Sequence, residues 1–143
     1  MPYVSISRLF AFSLLLPMWS LAQSFPVASW QTETADQMPQ VQSEIDDLVA
    51  QNAKDANNLA KLLKHRTTDA LRGPYVWCAP MRNHTQTCTY RIERLQDDSI
   101  QGIVEKLKFE QVDGKWKLVL LHNAWRCATG RGRSNAYHNQ TCR

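Results

Sequence analysis

Apolar and polar residues alternate most regularly between Ile103 and Cys127. In Lys106–Gln111, Leu107 and Phe109 take one face while Lys106, Lys108 and Glu110 take the other. Past Asp113-Gly114, Trp116, Leu118 and Leu120 share a face, and Lys115 and Lys117 point away. A period of two is that of a half-buried strand, because successive side chains leave opposite sides of a sheet. Asp-Gly tolerates the positive φ angles of a type I′ turn, so the stretch predicts a β-hairpin, with solvated lysines flanking a core indole. Thr87–Leu95 alternates in the same way, with Cys88, Tyr90 and Ile92 opposite Thr89, Arg91 and Glu93. Tyr75–Cys78 reads as a further short strand, and Gln96–Gly102 has the composition of a turn.

Between Asp36 and Arg66 the period lengthens. Val41, Ile45, Leu48, Val49, Ala53, Ala56, Leu59, Leu62 and Leu63 recur at steps of three and four, forming one helical apolar stripe. Asp36 is a plausible cap, and Pro39 is tolerated in a first turn. Acidic Glu44, Asp46 and Asp47 crowd the start, while Lys61, Lys64 and Arg66 crowd the end, as the helix dipole favours. Asn52, Asn57 and Asn58 lower helix propensity midway, where a break is possible. Gly73-Pro74 closes the helical region. The expected fold is α+β: one long N-terminal helix packed on a curved antiparallel sheet of about four strands.

The first 22 residues carry a different pattern. Arg8 precedes the apolar run Leu9–Leu21, and Ser20-Leu21-Ala22 offers small residues for cleavage before Gln23. This is the pattern of a secretory signal, too short and wrongly flanked for a membrane span; an uncleaved N-terminal anchor is the alternative. No later stretch has the roughly 20 apolar residues of a spanning helix, so none is expected after cleavage. Residues 23–37, with Phe25 and Trp30, form a leader. Residues 38–143 form a single domain. The expected location is periplasmic or secreted.

Export changes the reading of Cys78, Cys88, Cys127 and Cys142. An even number of cysteines in an oxidising compartment predicts two disulfides. Local pairing, Cys78–Cys88 and Cys127–Cys142, closes a short loop beside a strand in each case. The rival is Cys78–Cys127 with Cys88–Cys142. The spacings do not match a zinc finger, and the histidines are scattered singly, so no metal or other cofactor is expected.

A helix followed by an antiparallel meander, with a last hairpin reading Asp113-Gly114-Lys115-Trp116, resembles the NTF2-like and cystatin-like α+β folds over Val41–Cys127. The resemblance implies a sheet wrapped around a helix, with a pocket in some members and no catalysis in many.

Charge is divided along the chain. Residues 23–60 hold six acids against Lys54 alone, whereas residues 61–143 hold 15 Lys and Arg against seven acids. The tail, residues 126–143, has four arginines and no acid. Arg126, Arg131, Arg133, Tyr137, His138 and Arg143 are the candidate binding residues, suited to a protein or an anionic envelope component. Nucleic acid is not expected outside the cytoplasm, and oligomeric state is left open. The sequons at Asn83 and Asn139 match a pattern that chance supplies readily. No G-x-S-x-G, H-E-x-x-H or phosphate-cradling glycine loop occurs, so no catalytic residue is assigned. Tyr90, His122 and Trp116 form a candidate pocket, because His122 falls on the Trp116–Leu118–Leu120 face and could meet Tyr90 across the sheet. The expected function is that of an exported, disulfide-bonded domain that binds another macromolecule without catalysis, as an inhibitor, immunity or envelope accessory protein. The alternative is an NTF2-like carrier or enzyme with a pocket between helix and sheet.

Overall fold

The computed structural model describes residues 26–66, 70–132 and 135–143, the side chains of 70–72 excepted. The expected signal segment and Arg133 lie outside the described residues. The elements are β1 (Gln31–Thr34), a 3-10 turn (Ala35–Gln37), α1 (Pro39–Gln51), a second 3-10 turn (Ala53–Asp55), α2 (Leu59–Leu63), β2 (Ala70–Cys78), β3 (Thr85–Leu95), β4 (Ile100–Val112) and β5 (Lys115–Cys127). The strands form one antiparallel sheet in the order β1-β5-β4-β3-β2.

This corrects the expectation of one long helix on about four strands. The sheet dominates, α1 has 13 residues and α2 has only five. The break falls at the asparagines. Asn52 leaves the helix at φ −121° and ψ 46°, and Asn58 caps α2 by accepting the Lys61 amide at 3.1 Å. Asparagine side chains compete for nearby backbone groups and so favour caps over helix interiors. The apolar stripe survives the break, because Ile45, Leu48, Leu59, Leu62 and Leu63 are all buried.

The additional strand, β1, comes from the polar leader. It has no apolar alternation, and three of its four residues are exposed. Backbone pairing with β5 places it, from Gln31 opposite Asn123 to Thr34 opposite Leu120. Gly73-Pro74 lies within β2 at a register shift between Arg72 and Tyr75, with a cis peptide bond. The β4–β5 turn is as expected, with Asp113 at φ 50° and Gly114 at φ 74°.

One face of the sheet, here the inner face, packs on the helices through Cys88, Tyr90, Ile92, Leu107, Phe109, Trp116 and Leu118. Gln42 of α1 ties the layers together: its Oε1 accepts the Leu118 amide at 2.8 Å. The Trp116 indole N–H donates to the Ala56 carbonyl at 2.6 Å. Phe109 pairs with Leu118, but Lys108 pairs with Leu120. Val119 is therefore an extra residue, and such a bulge exchanges the faces of the strand beyond it. Leu121 joins Leu107 in the core, while Leu120 and His122 move to the outer face.

The tail covers part of that outer face. Tyr137 packs with Val104 and Ala124, with Val27 and Trp30 against them. Bridges join Val27 to Tyr137 and Trp125 to His138. The disulfides are Cys78–Cys88 and Cys127–Cys142; the second fastens the tail to the end of β5.

Candidate functional site

The tail residues singled out from sequence do not make one exposed basic surface. Tyr137 is fully buried and His138 is 2 % exposed. The Tyr137 hydroxyl donates to Glu93 Oε1 at 2.6 Å, and Arg126 Nη2 donates to Glu93 Oε2 at 2.7 Å. Burial, with the Glu93 hydrogen bond and charge adding to it, pushes the Tyr137 hydroxyl pKa well up. Tyr137 and Arg126 therefore hold the tail on the sheet. A methyl group at Gly102 would come within 2.9 Å of the Tyr137 hydroxyl, so the strand beneath the ring needs glycine. Arg131 and Arg143 are exposed at the tail's end, where Arg131 lies 3.6 Å from Asp98.

Tyr90 and His122 do not meet, because the Val119 bulge puts them on opposite faces. Tyr90 is on the inner face and donates its hydroxyl to the Arg66 carbonyl at 2.6 Å. Burial raises its pKa strongly. Arg66 is bonded to Glu105 and, at 3.0 Å, to Glu44. Burial raises the Glu105 carboxyl above the usual carboxylate range, although Arg66 opposes this. These groups connect helix, sheet and the Tyr90 ring. Trp116 is 5 % exposed and roofs the core.

The open surface is the rest of the outer face. Register aligns Trp77, Thr89, Lys106, His122 and Thr32 in one row across all five strands. Beside it runs a second row of Thr87, Lys108, Leu120 and Thr34. Trp77 is 66 % exposed, and Tyr75, one step along β2 on the same face, is 42 % exposed. The Arg91 guanidinium lies 5.0 Å from the Tyr75 ring centre. At the other end of the row Lys106 Nζ lies 5.1 Å from the Trp30 ring centre. Trp30 meets His122 edge-on at 6.3 Å, and His122 Nδ1 is 2.9 Å from Thr32 Oγ1. Trp30, Lys106, Lys108, Leu120 and His122 line a shallow groove of about 400 Å³. Sequence reading missed this site. Its signals were the alternation in Tyr75–Cys78, which puts Tyr75 and Trp77 together, and the Lys106/Lys108 face of β4.

Among the described residues no cluster of His, Cys, Asp and Glu is arranged to hold a metal ion, and no helix is long and apolar enough to cross a membrane. Compared with protein-family models, curated proteins and solved structures, the chain matches none.

Proposed function

We propose that this chain is an exported, disulfide-stapled domain that binds another macromolecule without catalysis, in the periplasm or outside the cell. The observation that carries the reading is the outer-face row. It presents a tryptophan exposed by 66 % and two exposed lysines on a strand framework pinned by disulfides at two corners. Large exposed aromatics beside cations are unusual on a surface that does nothing but meet water. Rigid strands also lower the ordering cost of binding. The surface replaces the basic tail as the contact region, since Tyr137, His138 and Arg126 hold the tail in place.

The NTF2-like carrier or enzyme requires an apolar concavity between helices and sheet. The centre of that space holds Leu107, Phe109, Trp116 and Leu118, each no more than 5 % exposed, and the groove of about 340 Å³ lined by Val49, Ala50, Ala56 and Trp116 lies at its edge.

The test is sedimentation of the purified protein with washed cell envelopes of the producing cell. The unaltered chain should be retained. A chain carrying Lys106→Glu and Lys108→Glu should stay in the supernatant, and one carrying Arg131→Glu and Arg143→Glu should still sediment. Equal retention of all three, or of none, would remove the outer face as the binding surface.

A further inference from the structure

We infer that the outer-face row takes an acidic polysaccharide of a cell envelope, laid across the strands from Trp77 to Trp30. This rests on the binding reading above and names its ligand. Adjacent strands are about 4.8 Å apart, so Trp77 and His122, three strands away, are separated by roughly 14 Å, the reach of a short oligosaccharide. Between them the sheet offers hydroxyls at Thr89 and Thr87 and ammonium groups at Lys106 and Lys108. Neither lysine has a carboxylate partner among the described residues, whereas Arg66 has two and Arg91 and Arg126 share Glu93. Glu110, the acid nearest along β4 on this face, pairs across the sheet with Lys117.

Each part of the row matches one part of such a ligand. The C–H face of a pyranose packs on an exposed indole, its hydroxyls exchange hydrogen bonds with threonine, and its carboxylates pair with lysine. Trp30 beneath Lys106 and Thr32 beside His122 fix two of these groups in place before a ligand arrives.

A protein partner fits less well. Centre to centre, the open rows span about 19 Å across the strands and roughly 7 Å along them. That is well below the ~800 Å² that each side of a stable protein interface buries. Lysine is also depleted in such interfaces, and threonine is rare among their energetic anchors.

The experiment is calorimetric titration of the full exported protein with an oligogalacturonate. A neutral maltodextrin of equal length, polyglutamate and oligothymidylate serve as comparison ligands. Oligogalacturonate should bind, weaken as salt is raised, and bind about tenfold more weakly to Trp77→Ala. It should not bind detectably to the chain with Lys106→Glu and Lys108→Glu. All variants should unfold within a few degrees of the parent, because the altered side chains are exposed and the contact of Lys106 with Trp30 is the main one lost. The inference is overturned if maltodextrin binds equally, or if polyglutamate or oligothymidylate binds as well as oligogalacturonate and Trp77→Ala changes nothing. It is also overturned if oligogalacturonate is ignored. In that case, continued lysine-dependent sedimentation with envelopes would leave the binding domain standing with another ligand, and loss of sedimentation would remove both readings.

Discussion

Glu105 shows how a carboxylate is held inside a small domain. It pairs across the sheet with Asn123 and is bonded to Arg66, which Glu44 also contacts. Arg66 is itself desolvated, which opposes its charge, but Glu105 and Glu44 outweigh this and its pKa is raised. For Glu105 the balance is reversed: burial prevails over the attraction of Arg66, and the carboxyl is raised. Of the two groups, only the carboxyl titrates within the accessible pH range. A carboxyl raised in the folded state takes up its proton there before it does in the unfolded chain. Its contribution to stability is therefore full below the ordinary value, about 4.3, and is lost as pH rises through the folded value. The stability of the parent chain relative to Glu105→Gln should thus increase as pH falls from neutral toward that range. Urea titrations of both proteins at several pH values would measure it, and a relative stability that decreases instead would show that the ion pair prevails over burial.

At the scale of elements, β5 turns on a single residue. Val119 is the extra residue of the bulge, and everything after it changes face. Deleting Val119 would remove the extra residue and leave the faces beyond it as they are, with Leu121 inner and Leu120 and His122 outer. Only the local bend and twist of the bulge are lost, so the deletion should cost roughly 1 kcal/mol or less. It should also keep the outer-face row, since Lys106 retains His122 as its neighbour. Denaturant unfolding gives the first quantity and oligogalacturonate titration the second. A loss of roughly 3 kcal/mol or more would show instead that the strand depends on the bend the bulge provides.

For the whole molecule, the second disulfide determines whether the outer face is half covered or bare. Cys127 and Cys142 are 15 residues apart, and closing a loop of that length is worth about 3 kcal/mol in the chain-entropy account. Changing both to serine should lower stability by about that amount. The buried Tyr137 ring should become accessible, visible as faster hydrogen exchange at Trp125 and His138, whose amides and carbonyls are bonded to each other. A loss well under 1 kcal/mol would assign the tail's attachment to the Glu93–Tyr137–Arg126 contacts alone. Non-reducing tryptic maps of the parent should show the peptide from Gly73 to Arg82 joined to that from Asn83 to Arg91. The peptide from Cys127 to Arg131 should be joined to that from Ser134 to Arg143.

Much of this protein was determined by its sequence taken a few residues at a time. Alternation located β3, β4 and β5, Asp113-Gly114 located their last turn, and adjacency to strand ends favoured the cysteine pairing that the structure has over its rival. Those features depend on side-chain period, turn chemistry and short loop closure, all local properties. The apolar stripe of residues 41–63 likewise foretold the burial of Ile45, Leu48, Leu59, Leu62 and Leu63, although Ala53 at the break is exposed. It did not foretell whether the helix is continuous, because an apolar residue can reach the sheet from either side of a break at Asn52–Asn58. Only the tertiary structure decided what depends on distant partners. Polar β1 exists because β5 had an unpaired edge, and Tyr137 and His138 are interior because Val104, Ala124 and Glu93 lie beneath the tail. Trp77, Lys106 and His122, widely separated in the chain, share one row because three strand registers and one bulge bring them there.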